Sequence, residues 1–189
     1  MLAVFARQIK PLCSQRAGYC AGLASLLLLA GAGAVRDATA LNETRTLSFH
    51  HTHSDEDLTV TFKRDGRYDE EALKQLNHFL RDTRENVQTE MDPLLFDVLW
   101  HTTRIVGYGG TIEVLSAFRS PTTNAWLASV SRGVARDSQH MNGNAMDIRF
   151  PGVPVFQIRQ AAYSLNMGGV GFYPRSGFVH LDTGPVRYW

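Results

Sequence analysis

Ser138-Gln139-His140-Met141-Asn142-Gly143-Asn144-Ala145-Met146-Asp147 and, further on, Phe178-Val179-His180-Leu181-Asp182 decide how this chain folds and what chemistry it carries. His140 and Asp147 stand two helical turns apart, a spacing that would stack them on one helix face. Asn142, Gly143 and Asn144 between them oppose a helix and favour a turn. The stretch therefore reads as a turn carrying His140, followed by a strand from Ala145 to Phe150. Alternation puts Ala145, Asp147 and Arg149 on one face of that strand and Met146, Ile148 and Phe150 on the other. In the second stretch Phe178, His180 and Asp182 point one way, Val179 and Leu181 the other. Paired antiparallel, the two strands hold opposite Cβ atoms about 5 Å apart. His140, Asp147 and His180 then converge on one metal ion. Two imidazoles and a carboxylate leave one tetrahedral position for water, the arrangement of a hydrolytic rather than a structural zinc.

Working back from this centre, Leu47 to Phe62 alternates as a hairpin around the polar turn Ser54-Asp55-Glu56-Asp57. His50, His51 and His53 have no third ligand nearby and are expected to be strand-end residues facing solvent. Asp69 caps a helix to about Arg81, with Leu73, Leu76, Phe79 and Leu80 on its core face and His78 partly buried. Asp92-Pro93 starts a second helix, apolar through Leu94, Leu95, Val98, Leu99, Thr102, Ile105 and Val106 and stopped at Gly107. Thr111 to Ser116 alternates as a strand and delivers Ala117-Phe118-Arg119-Ser120 to a loop. A short helix then runs from Pro121 to about Arg132, expected to pack through Trp126, Leu127 and Val130. Beyond the metal strand come a helix from Pro154 to about Leu165 and closing strands at Val170–Tyr173 and Phe178–Asp182. This order predicts an α+β fold, with helices packed on an antiparallel sheet that carries the metal.

Residues 1–40 read as a signal peptide. Arg7, Lys10 and Arg16 precede the apolar run Ala21 to Val35, and Ala38-Thr39-Ala40 offers small residues for cleavage. The apolar core of about 15 residues is short for the roughly 20 that a membrane span needs, so an uncleaved anchor is the lesser alternative. Arg7 and Arg16 are isolated, which favours general secretion over the twin-arginine route. Residues 41–189 are left as one domain of ordinary size. Cys13 and Cys20 both lie in the leader, so the mature chain has neither a disulfide nor a thiol nucleophile. A formal net charge of +1 gives no basic field for nucleic acid. Neither Gly-x-Ser-x-Gly nor a mature Ser-x-x-Lys pair occurs, which leaves a serine mechanism without support.

Ser138-x-His140-x-x-Gly143-x-Ala145-x-Asp147 with the later His180 resembles the zinc signature of the lysostaphin, D-Ala-D-Ala peptidase and hedgehog-like group. Ser116–Ser120, Ser131–Ala135, Gly169–Ser176, Phe178–Pro185 and Tyr188-Trp189 are similar to one branch of it, the murein endopeptidase K type. The likeness runs from about Leu47 to Trp189. It implies a hedgehog/D-Ala-D-Ala peptidase-like fold, Zn2+ on His140, Asp147 and His180, and a monomer secreted to the periplasm that meets the membrane only through its leader. The implied partner is the peptidoglycan stem peptide and the implied reaction is hydrolysis of peptide cross-links. Arg119 matches the arginine of a Ser-x-x-Arg-Ser loop that anchors a substrate carboxylate in similar enzymes, a group that a guanidinium grips bidentately. Ser138 is expected to bond the metal turn or substrate. Tyr173 and Arg175 are expected to stabilise the oxyanion or bind peptide, and Arg149 to line the groove or pair with a carboxylate.

Many relatives place a glutamate base three residues before the last histidine; here that position is Gly177. Asp182 shares the face of His180 and has two open roles. One is catalytic, as the base for water; the other is to accept the outer N–H of a ligand imidazole. Two other functions compete: a D,D-carboxypeptidase or dipeptidase using the same metal, and a non-catalytic zinc-containing peptidoglycan-binding module. An endopeptidase needs a cleft open on both sides of the metal. Sequence does not choose between D-Ala–diaminopimelate and diaminopimelate–diaminopimelate bonds.

Overall fold

A computed structural model of the chain describes residues 43–189, so the expected leader lies outside the described residues. Strands β1 (Arg45–His51) and β2 (Glu56–Arg64) form the hairpin, with Leu47, Phe49, Val60 and Phe62 all turned inward. His51 continues that inward phase and is buried, contrary to the expectation of a solvent-facing histidine. Its Nδ1 accepts the backbone N–H of His53 at 3.2 Å and of Ser54 at 3.4 Å, and its ring meets Phe79 edge-on. It caps the turn from the core side. His50 faces outward beside Asp57, and His53 is exposed.

The remaining strands are β3 (Arg67–Tyr68), β4 (Ile112–Ser116), β5 (Ala145–Arg149), β6 (Gly169–Tyr173), β7 (Phe178–Asp182) and β8 (Arg187–Tyr188). They join one sheet in the order β3-β2-β1-β4-β5-β7-β6-β8. β1 pairs with β4, and β6 with β8, in parallel, so the sheet is mixed rather than wholly antiparallel. The chain from β1 to β4 passes through two helices, α1 (Glu70–Phe79) and α2 (Pro93–Val106), and such a crossover returns a strand in the same direction. β8 escapes a sequence reading because two residues show no period.

Met146, Ile148, Val179 and Leu181 turn into a core shared with Phe49, Leu76, Leu95 and Leu99. A fourth helix, α4 (Val155–Leu165), adds Ile158 to that core. Alternation then leaves Asp147, His180 and Asp182 on the opposite face of the sheet. α1 starts where expected, with the Asp69 carboxylate accepting from the Glu71 and Ala72 amides. α2 is rotated from the expected stripe. Leu94 and Ile105 are exposed, while Phe96, Asp97 and Thr103 face inward.

The rotation has a cause in Asp97. Its carboxylate accepts from Arg45 Nη1 at 2.7 Å, Lys63 Nζ at 2.8 Å and the Tyr68 hydroxyl at 2.7 Å, tying α2 to the first three strands. Burial acts to raise the Asp97 carboxyl, but these donors outweigh it and hold it below the usual range. Burial, then the bond to Asp97, pushes the Tyr68 hydroxyl well above the usual phenol value. Asp97→Ala should cost about 3 kcal/mol in a urea titration, since it takes the carboxylate from the largely buried Lys63 and leaves Arg45 with Glu43 alone. The depressed carboxyl contributes stability that is present above its unfolded value near 4 and lost as pH falls through the folded one. The raised phenol contributes stability that is intact below its unfolded value near 10 and lost as pH climbs toward the folded one. Melting temperature should therefore fall at both ends of the pH range, and less steeply in the alanine variant.

The third helix, α3 (Pro121–Val130), does not pack through Trp126 and Val130, which are 51% and 64% exposed. It is held by polar contacts instead. Ser120 Oγ accepts from the Thr123 amide at 3.0 Å, and buried Asn124 donates to the carbonyls of Ala135 and Arg136. An outward-facing apolar stripe on so short a helix has the same period as an inward one, so spacing does not tell them apart.

Candidate metal centre

Ser138 begins a single 3-10 turn, Gln139–Asn142, by accepting the His140 amide on its hydroxyl at 3.4 Å. Gly143 closes the turn at φ 72°, where an added Cβ would stand 2.5 Å from the Glu90 carbonyl oxygen. Only glycine fits there. The turn aims His140 at β5 and β7, whose antiparallel register sets Asp147 directly opposite His180. All three side chains are buried.

Each ring is oriented by an acceptor on its outer nitrogen. His140 Nδ1–H donates to the Ala117 carbonyl at 2.6 Å, and His180 Nε2–H donates to Asp182 Oδ2 at 2.9 Å. The inner nitrogens then present lone pairs. His140 Nε2 lies 3.2 Å from His180 Nδ1 and 3.3 Å from Asp147 Oδ1, and His180 Nδ1 lies 2.9 Å from the same oxygen. Three acceptors facing one another repel unless a cation sits among them. Ligand atoms of a tetrahedral zinc, with bonds near 2.0–2.1 Å, lie about 3.3 Å apart, close to the edges of this triangle. The donor set fits a divalent ion.

The electrostatics agree. Burial lowers His140, which suits a neutral ligand. Burial would raise Asp147, but the two imidazoles outweigh it and hold the carboxylate ionised. Burial would lower His180, yet the carboxylates of Asp147 and Asp182 raise it, so proton and metal compete for Nδ1.

The surrounding residues divide into those that reach the centre and those that do not. Arg119 donates from Nη2 to Asp147 Oδ2 at 2.7 Å and from Nε to Ser116 Oγ at 2.8 Å. These bonds use two of the five guanidinium N–H groups, and the outer edge, with two N–H on Nη1 and one on Nη2, is left for a ligand. Asp182 is wholly buried behind the His180 ring. It accepts from the Gly184 amide at 2.8 Å and from Arg187 at 2.8 and 2.9 Å. Burial would raise its carboxyl, but His180 and Arg187 hold it down at about 2. Tyr173 stacks on Phe178, and its hydroxyl accepts from Trp189 Nε1 at 2.8 Å. Arg175 is exposed on the turn after β6 and lines neither cavity beside the centre. Arg149 pairs with Glu113 at 3.4 Å. Gly177 has φ 74° in the same turn, a backbone that disfavours the glutamate of other relatives.

Two cavities meet at the centre and share Arg119, Asp147 and Phe178. The larger, about 590 Å³, is walled by Ser138, Tyr173, Arg187 and Trp189 beside the two histidines. The smaller, about 240 Å³, runs past Arg119 toward His53, Asp82, Arg84 and Leu127. The centre is thus open on two sides. Arg187 and Arg84 carried no sequence signal, and Trp189 entered only through the family resemblance; the pairing of Asp182 with Arg187 depends on the short reversal between β7 and β8, which no periodicity announces.

The family model described as peptidoglycan L,D-endopeptidase MepK matches residues 39–189. The peptidoglycan L,D-endopeptidase MepK of Escherichia coli (strain K12) is 45% identical over 146 residues, which is 77% of this chain and 80% of that protein. The probable peptidoglycan L,D-endopeptidase MepK of Haemophilus influenzae is 41% identical over 146 residues, 77% of this chain and 78% of that protein. No solved structure matches the chain.

Proposed function

The chain belongs to the peptidoglycan L,D-endopeptidase MepK family, and from that membership we propose that it is a zinc-dependent endopeptidase cutting peptide cross-links of peptidoglycan. The L,D bond type is taken from the names of its relatives. The observation that carries the reading is the triangle of His140, Asp147 and His180 standing where two cavities join. A cross-link continues on both sides of its scissile bond, and a through-cleft accepts it. A carboxypeptidase or dipeptidase needs only one side, so the geometry favours the endopeptidase. A hedgehog/D-Ala-D-Ala peptidase-like arrangement, a catalytic domain at 41–189 and a secretory leader at 1–40 that delivers it to the periplasm belong to the same proposal.

Bound zinc would supply a water of lowered pKa and Lewis-acid polarisation of the scissile carbonyl. The protein supplies position. The Ala117 carbonyl and Asp182 fix the two imidazoles, so their inner nitrogens need no reorganisation. Arg119 holds Asp147 and offers its outer edge to a stem-peptide carboxylate. Ser138 shapes the turn that presents His140, while Tyr173 and Trp189 wall the peptide's path. Of its two open roles, Asp182 takes that of a positioning residue, because it is buried on the outer nitrogen of His180 with its oxygens occupied. Asp182→Asn should weaken zinc binding about 10–100-fold, measured against a competing chelator.

The test is a digest of isolated murein with purified mature protein and zinc, read by separating the muropeptides. Cross-linked dimers should fall to monomers, with L,D-linked dimers disappearing first. Release of terminal D-amino acids alone would favour the carboxypeptidase. Dimers that persist with zinc bound would leave only the binding module.

A further inference from the structure

Arg84 is an arginine without an anion. Among the described residues it makes no ion pair, although it lines the same cavity of about 240 Å³ as Arg119. Its guanidinium lies over the exposed Trp126 ring, 5.0 Å from the centroid, which fixes its plane while leaving its N–H donors to solvent. Its backbone is equally fixed. Asp82, buried at 4% exposure, accepts the Arg84 amide on Oδ1 at 2.9 Å and the Ser120 amide on Oδ2 at 2.8 Å. One carboxylate thus ties the loop carrying Arg84 to the loop carrying Arg119. The other cation nearby, Arg81, is already neutralised by a two-pronged bond to Glu56.

Arg119 is already paired with Asp147, so Arg84 is the guanidinium on this cavity wall that no carboxylate meets among the described residues. Leu127 on α3 lines the same wall, and Trp126, one residue before it, carries the Arg84 guanidinium. We propose that Arg84, clamped between Trp126 and the Asp82 tether, is a specificity-determining residue that binds a substrate carboxylate on the Arg119 side of the metal centre. The ligand class is a peptide bearing a free carboxylate several atoms from the scissile bond. This inference rests on the peptidoglycan reading above, whose stem peptides carry such groups. Planar, singly charged carboxylates match the planar fork of arginine better than the point charge of lysine.

Two substrates test it: a cross-linked muropeptide with its stem carboxylates free, and the same compound with them converted to amides. For the free acid, Arg84→Ala should raise KM about tenfold with kcat and zinc content unchanged, the low end for a charge-assisted hydrogen bond. For the amide the variant and wild type should match, and Arg84→Lys should recover only part of the loss. A KM unmoved by Arg84→Ala on the acid, or raised equally on acid and amide, overturns the proposal. Calorimetric binding of a single uncleaved stem peptide, acid against amide, keeps the two ideas separate. Discrimination lost in Arg84→Ala without any turnover by wild type would uphold the subsite and sink the endopeptidase. Turnover without discrimination would do the reverse.

Discussion

His180→Ala should lose zinc and hydrolysis together, with kcat/KM on cross-linked muropeptides falling at least about 10³-fold. The estimate follows from the several kcal/mol that a Lewis-acid ion contributes to a polarised carbonyl, at about 1.4 kcal/mol for each factor of ten. The variant deletes the nitrogen that lies 2.9 Å from Asp147 Oδ1 and 3.2 Å from His140 Nε2. Two ligands then remain, fewer than the three that a catalytic zinc retains from its protein. It also strands Asp182, which would keep Arg187 and two backbone amides but lose its imidazole. Chelation of the wild-type protein should reproduce the loss, and added zinc should restore it. Zinc measured by mass spectrometry, beside the dimer-to-monomer ratio, checks both halves. Full activity in metal-free protein would end the case for a metal hydrolase.

Arg119→Ala should lower kcat/KM by about 10²–10³-fold, because it removes the partner that fixes Asp147, worth about 10–100-fold, and a charged donor to substrate, worth about tenfold. The arginine is engaged twice, with Ser116 and with Asp147, and the Asp147 contact bears on metal geometry. Zinc should still bind, more weakly, since the three ligand side chains persist. Arg119→Lys should recover little, as one ammonium cannot meet Ser116, Asp147 and a ligand in the same plane. Comparing KM with kcat separates the roles. A change confined to KM assigns Arg119 to substrate alone, whereas a fall in kcat with altered zinc affinity assigns it to Asp147 as well.

The contrast between these two residues shows where sequence reading works. His180 is placed by alternation along five residues, and Asp147 by alternation along another five; the two strands pair in the register that sets them opposite each other. Arg119 lies in a loop, and its partner Asp147 is 28 positions away. No local pattern indicates that the guanidinium bonds the Asp147 carboxylate. α3 makes the same point for packing, since its apolar residues face outward and Thr123 and Asn124 face inward. α2 differs from expectation because its rotation is set by partners far along the chain, the Arg45–Lys63–Tyr68 cluster, whereas His51 follows the inward alternation of Leu47 and Phe49 and meets the amides of its own turn.

Sequence alone determined the turn around Gly143, the strands on either side of the centre, the helix starts at Asp69 and Asp92, and the trio His140, Asp147 and His180. These depend on side-chain period and backbone preference, which act over a few residues. Tertiary structure decided which imidazole nitrogen faces inward, that Asp182 stands behind His180 under Arg187, that Arg119 is shared, and that Arg84 shares its cavity wall. Those choices arise where segments far apart in the chain meet in the fold. Hydrogen-bond direction and burial there are settled by whichever groups the packing brings within about 3 Å.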